Sequence, residues 1–103
     1  MYTVIETPLF SKLWPDYWTE DERIEFAAFL SASPEGGDVI PQSGGCRKVR
    51  WTRHGGGKRG GVRVIYFNQL GDGSIVLLLM YAKNVQDNIA PNVLRRIVKE
   101  LTP

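Results

Sequence analysis

The stretch Val62-Arg63-Val64-Ile65-Tyr66-Phe67-Asn68-Gln69-Leu70, then Gly71-Asp72-Gly73, then Ser74-Ile75-Val76-Leu77-Leu78-Leu79-Met80-Tyr81-Ala82-Lys83, decides the fold class. Two runs rich in β-branched and aromatic residues flank a short glycine-bearing turn, the pattern of a β-hairpin. With Asp72 at the loop centre, Arg63 faces Tyr81, Ile65 faces Leu79, Phe67 faces Leu77 and Gly61 faces Lys83. Arg63, Tyr81 and Lys83 then share one sheet face at the end far from the turn. Ile65, Phe67, Leu77 and Leu79 continue that face as core. A cationic end on an otherwise apolar face describes a cleft, and a one-residue slip of register would dismantle it.

Working outward, a third strand is expected over Cys46–Arg53, joined to the hairpin by His54-Gly55-Gly56-Gly57-Lys58-Arg59-Gly60-Gly61. Tyr2 to Glu6 alternates and reads as a short first strand. Phe10, Leu13, Trp14 and Tyr17 fall at helical spacing until Pro15 stops or kinks the helix. Thr19 with Glu22 forms a capping box for a second helix, with Glu20 and Asp21 at the positive end of its dipole. Ile24, Phe26, Ala27, Ala28, Phe29 and Leu30 give that helix a broad apolar stripe, and Ser33-Pro34-Glu35-Gly36-Gly37 ends it. A last helix runs from about Pro91 to Leu101 with Val93, Leu94, Ile97, Val98 and Leu101 as its apolar face. The order β-α-α-β-β-β-α predicts an α+β fold, a mainly antiparallel four-stranded sheet packed by helices.

A chain of 103 residues, 43% of them hydrophobic, fits one domain over 1–103 and excludes a disordered chain. The longest apolar run, Ile75 to Ala82, is far short of the roughly 18 residues of a membrane span, and no secretory signal is visible. A cytoplasmic protein without membrane contact is expected. A single cysteine, Cys46, makes neither an internal disulfide nor a cysteine-only zinc site.

The net charge of +2 conceals a strong segregation. Residues 1–38 carry two basic and eight acidic residues, whereas residues 39–71 carry seven basic residues and no acid. Arg47, Lys48, Arg50, Arg53, Lys58, Arg59 and Arg63 form this block, the electrostatic footprint of a polyanion site. Glycines run through the same block, which suits a backbone that approaches phosphates. Salt-dependent nucleic-acid binding is the function class these residues favour.

Other motifs carry less. Gly55-x-Gly57-x-x-Gly60 matches a dinucleotide fingerprint in letters only, because a strand follows it where the motif needs a helix. Gly57-Lys58-Arg59 lacks the Ser or Thr of a phosphate-binding loop. His54 is the sole histidine and supplies no metal site, so neither a metal nor another cofactor is expected. Cys46 reads as a buried strand thiol, with Arg47 and Lys48 near enough to lower its pKa. Trp51 reads as core. Trp18 is open between core and base stacking, and Tyr81, among cations, is placed to bond a phosphate or stack on a base.

Three segments together resemble a known family: Gly44-Gly45-Cys46-Arg47-Lys48-Val49-Arg50, Gly57-Lys58-Arg59-Gly60-Gly61-Val62-Arg63-Val64-Ile65-Tyr66-Phe67, and Leu79-Met80-Tyr81-Ala82-Lys83-Asn84. They are similar to the RelE/HigB-type toxins of bacterial type II toxin–antitoxin modules, in the HigB-like branch. The resemblance implies the RelE fold and a ribosome-dependent mRNA endoribonuclease that cuts in the A site without a metal, by 2′-OH attack. It implies a helix-turn-helix, HigA-like antitoxin as partner, with operator DNA reached only through that antitoxin. Carried over by position, Arg63 stabilises the phosphorane. Lys83 and Lys58 serve proton transfer or charge stabilisation, Tyr81 joins them in the catalytic set, and Arg47, Lys48, Arg50, Arg53 and Arg59 hold RNA backbone. The stretch from Val85 to Ala90 has no Tyr or His where several relatives carry one. ParE-type relatives of the same fold poison gyrase instead, so a non-cleaving toxin, or one acting only in operon repression, is the competing reading.

Overall fold

A computed structural model describes residues 2–51, 61–82 and 89–101. Its elements are β1 (Thr3–Glu6), α1 (Pro8–Leu13), α2 (Glu20–Ala32), β2 (Asp38–Val39), β3 (Cys46–Trp51), β4 (Val62–Gln69), β5 (Ser74–Ala82) and α3 (Pro91–Leu101). The first helix is set by its neighbours in sequence. Thr7 caps it by accepting from the Phe10 N–H at 3.1 Å, and Pro8 occupies the first turn, where its missing N–H costs nothing. Pro15 ends α-geometry at Leu13, leaving a single 3₁₀ turn over Trp14–Asp16. α2 starts at the expected capping box: Glu22 N–H donates to Thr19 Oγ1 at 3.2 Å and Thr19 N–H to Glu22 Oε1 at 2.8 Å.

The strands form one five-stranded sheet in the order β1-β5-β4-β3-β2, with β1 parallel to β5 and the other pairs antiparallel. The expected four strands become five because Asp38 and Val39 pair with Lys48 and Arg47. Two residues are too few for an alternation to register in sequence.

Each face of the sheet carries a core. On one side Val49, Val62, Val64, Tyr66, Ile75, Leu77 and Met80 pack under α1 and α2, through Phe10, Phe26 and Leu30. Phe26 is the hinge of an aromatic cluster, 5.0 Å from the Trp18 ring and 5.2 Å from Trp51. Trp18 is only 5% exposed, which places it in the core and not among candidate base-stacking residues. On the other side Cys46, Ile65, Phe67, Val76, Leu78, Leu79 and Tyr81 meet Leu94 and Val98 of α3. α3 is tied to the Cys46 end of that face: Arg95 Nη1 donates to the Gln42 carbonyl at 2.8 Å, and Gly44 lies against Arg95 and Val98.

Three expectations need correction. Phe67 faces Val76, and Leu77 belongs to the opposite core, because the β4–β5 register shifts by one between Ile65 and Tyr66. Ile24 is 56% exposed and Ala28 is exposed, so the buried stripe of α2 narrows to Phe26, Leu30 and their flanks. Val93 and Leu101 on α3 are likewise exposed, while Leu94 and Val98 are buried.

Candidate functional site

The site is built where β3, β4 and β5 run side by side at the end away from the Gly71–Gly73 turn. Arg63 in β4 pairs with Tyr81 in β5 on one flank and with Arg50 in β3 on the other. Directly paired residues point to the same side of a sheet, so the three side chains leave one face together. Lys48, two residues from Arg50 and paired with Ile65, shares that face. Arg63 and Tyr81 are withdrawn from solvent, at 6% and 5% exposure, whereas Arg50 is exposed and Lys48 half-buried. A buried arginine paired with a buried tyrosine, with further cations on the same face, is an arrangement able to receive an anion. Hydrogen bonds from Arg63 to a bound phosphate would act in low dielectric, where they are strongest.

Arg47 lies elsewhere. It pairs with Tyr66, whose ring is buried in the opposite core, and its Nη1 donates to the Gly37 carbonyl at 2.8 Å. Tyr66 Oη completes the same junction, accepting from Gly37 N–H at 2.8 Å and donating to the Pro34 carbonyl at 2.8 Å. Burial pushes the Tyr66 phenol above its ordinary pKa, outweighing the lowering by the Gly37 N–H and by Arg47. Arg47 and Tyr66 thus fasten the segment between α2 and β2 to the sheet. Lys58, Lys83, Arg53 and Arg59, also expected at the site, and His54 lie outside the described residues.

Cys46 is fully buried, its N–H donating to Ser43 Oγ at 3.0 Å. Burial raises its pKa, outweighing the lowering by Ser43, so the expected lowering by Arg47 and Lys48 is reversed. The reason is direction: Arg47 leaves by the other face and Lys48 stands two residues further along β3. Among the described residues no three His, Cys, Asp or Glu side chains converge as metal ligands do, and no helix is long and apolar enough to cross a membrane.

Sequence reasoning missed Thr7. Its N–H donates to the Leu77 carbonyl at 3.1 Å and its Oγ1 to the Leu78 carbonyl at 2.9 Å, at the point where the β4–β5 register shifts. The signal was a Thr-Pro pair, Thr7-Pro8, which marks a helix start as clearly as Thr19 does.

No protein-family model matches the sequence. Among solved structures, a free two-arginine mutant of the E. coli toxin RelE superposes with a TM-score of 0.65 over 98% of both chains, at 13% identity. The chain has the RelE fold. The isolated E. coli RelE toxin gives a TM-score of 0.58 at 14% identity, over 99% of this chain and 100% of that one. A chain of the intact E. coli RelBE toxin–antitoxin complex gives 0.60 at 13% identity, over 80% of this chain and 96% of the other. At such identities the likeness establishes the RelE fold and leaves activity to the site.

Proposed function

We propose that this chain is the toxin of a type II toxin–antitoxin module, an endoribonuclease that cleaves translated mRNA in the ribosomal A site. The observation that carries this reading is the withdrawn Arg63, flanked by Tyr81 and Arg50 on one face of a RelE-type sheet. The cleavage is a transfer at phosphorus: the ribose 2′-oxygen attacks the adjacent phosphate and the bond to the 5′-oxygen breaks. A 2′,3′-cyclic phosphate and a 5′-hydroxyl result. The 2′-proton leaves to a base, and an acid returns a proton to the departing oxygen. Charge builds on the non-bridging oxygens, and Arg63 is assigned to them.

The Tyr81 hydroxyl bonds the same phosphate, and Lys58 and Lys83 are assigned to proton transfer or charge stabilisation. A lysine among like charges has a depressed pKa, so it exchanges protons nearer neutrality than a solitary one. Lys48 and Arg50 hold RNA backbone along the rim, and Arg53 and Arg59 are assigned to RNA backbone from the sequence alone. Arg47, on the far side of the sheet, is assigned to the fold instead. No metal or cofactor enters this reaction.

The partner proposed is a helix-turn-helix antitoxin of the HigA-like kind, with operator DNA contacted only through it. The similarity to a chain of the RelBE toxin–antitoxin complex supports an antitoxin partner. The HigB-like branch rests on the sequence segments quoted above, and a cytoplasmic site of action follows from the ribosomal substrate. Induced expression should arrest growth, and the protein should co-sediment with ribosomes while leaving DNA supercoiling by gyrase untouched. Inhibited supercoiling without ribosome binding would count for the gyrase-poison reading.

A further inference from the structure

The Arg63–Tyr81 pair depends on a defect in the hairpin. Near the turn, Tyr66 pairs with Leu77, Phe67 with Val76, Asn68 with Ile75 and Gln69 with Ser74. Beyond Tyr66 the register changes: Ile65 pairs with Leu79, Val64 with Met80 and Arg63 with Tyr81. Leu78 is left without a partner across the ladder, an extra residue in β5 and hence a β-bulge. The side chains agree, since the successive residues Leu78 and Leu79 both enter the α3-side core while Leu77 and Met80 enter the other.

The consequence follows from the two-residue period of a strand. Were the turn-end register to continue unbroken, Ile65 would face Leu78 and Arg63 would face Met80. Tyr81 would then turn with Val62 toward Phe10, Trp18 and Phe26. One inserted residue therefore moves the Tyr81 phenol from the apolar core under α1 and α2 to the face that carries Arg50 and Arg63.

A bulge frees a peptide group that the ladder no longer serves, and such a group needs a partner. Here Thr7 supplies it. Its Oγ1 donates to the Leu78 carbonyl at 2.9 Å and its N–H to the Leu77 carbonyl at 3.1 Å. The same Oγ1 accepts from Phe10 N–H at 3.1 Å, so one hydroxyl both caps α1 and clamps the bulge. We propose that the Leu78 bulge is the device that assembles the Arg63–Tyr81 pair, and that Thr7 is the positioning residue that holds it. The geometric part stands on the register alone; its kinetic consequence rests on the endoribonuclease reading.

The two duties of Thr7 separate by substitution. In Thr7→Ser both are kept. In Thr7→Asp the carboxylate still caps α1, Asp being among the best N-cap residues, but has no proton to give the Leu78 carbonyl. Nuclear Overhauser contacts across β4–β5 in the full chain read the register directly. Wild type and Thr7→Ser should show Arg63 against Tyr81. Thr7→Asp should keep α1 amide protection while that contact weakens, and kcat for mRNA cleavage should fall about tenfold with KM nearly unchanged. Wild-type contacts and wild-type kcat in Thr7→Asp would overturn the proposal. So would wild-type protein in which Arg63 contacts Met80, a result that needs no variant to fold. Correct pairing in a wild type that leaves mRNA intact would instead count against the enzymatic reading and leave the bulge assignment standing.

Discussion

Arg50 faces Arg63 directly across the β3–β4 ladder, two guanidinium groups paired on one face of the sheet. Like charges in directly opposed positions destabilise a sheet by a few tenths of a kcal/mol to about 1 kcal/mol. A fold selected for stability alone would place an acid at one of the two. Replacing Arg50 by Glu should therefore raise the melting temperature by a few degrees while abolishing RNA binding at the site. Calorimetry and a salt-dependent RNA-binding assay on the same preparation check both halves.

Arg47 and its neighbours in β3 should part company on mutation. Arg47→Ala removes the bond to the Gly37 carbonyl and is expected to cost roughly 1–2 kcal/mol of stability, with little effect on RNA affinity. Lys48→Ala and Arg50→Ala should do the reverse, staying within about 0.5 kcal/mol in stability while flattening the salt dependence of RNA binding. Urea unfolding alongside binding at several salt concentrations distinguishes the two patterns.

The junction between Tyr66 and Gly37 should be intolerant. Tyr66→Phe leaves the buried Gly37 N–H without its acceptor, at a cost of about 1–3 kcal/mol. Gly37→Ala places a Cβ 2.9 Å from the Lys48 carbonyl oxygen and 2.9 Å from Tyr66 Cε1. The first of these is backbone in mid-sheet and yields little, so a loss of about 1–3 kcal/mol is expected, read as a lowered urea midpoint.

Cys46 should resist alkylation by iodoacetamide in the folded protein and react once the chain is unfolded, as mass spectrometry would report. Its raised pKa also fixes a sign. Below the ordinary thiol value of 9.0 both states hold the proton and the thiol contributes no pH dependence. As pH climbs past that value the unfolded chain ionises first, so stability falls until the folded pKa is reached. Tyr66 adds the same sign from its ordinary 10.0 upward. The melting temperature should therefore decline as pH rises above about 9, and less steeply in Cys46→Ala.

The pairing of Arg63 with Tyr81 was legible in the sequence. The Gly71-Asp72-Gly73 turn fixed the hairpin closely enough to pair Arg63 with Tyr81 and Ile65 with Leu79. The error at Phe67 has a physical cause: from Ile75 to Met80 every residue is apolar, because both faces of β5 are buried. A strand without alternation gives no sign of a one-residue bulge. The mid-loop centring reached the right pairs at the far end and the wrong ones near the turn, since the bulge lies between. Thr7, 71 positions from the carbonyl it clamps, could be read as a helix cap but not as a bulge anchor.

Face assignment in β3 was harder. Cations occupy both parities of Cys46-Arg47-Lys48-Val49-Arg50-Trp51, so charge alone does not say which share a surface with Arg63. Only the ladder separates Lys48 and Arg50 from Arg47. In α2 the apolar residues Ile24 to Leu30 surround most of the helix, and tertiary packing, not periodicity, left Ile24 outside.

The central claim is that Arg63 is the charge-stabilising centre of an mRNA-cleaving site. Cleavage mapping in a purified translation system, with and without ribosomes, tests it on wild type and Arg63→Ala, each verified as folded by circular dichroism. Cuts within translated codons, dependent on ribosomes and reduced at least about a hundredfold in Arg63→Ala, are the result predicted. Intact message with wild type, or a folded Arg63→Ala protein that cuts as fast as wild type, would contradict it.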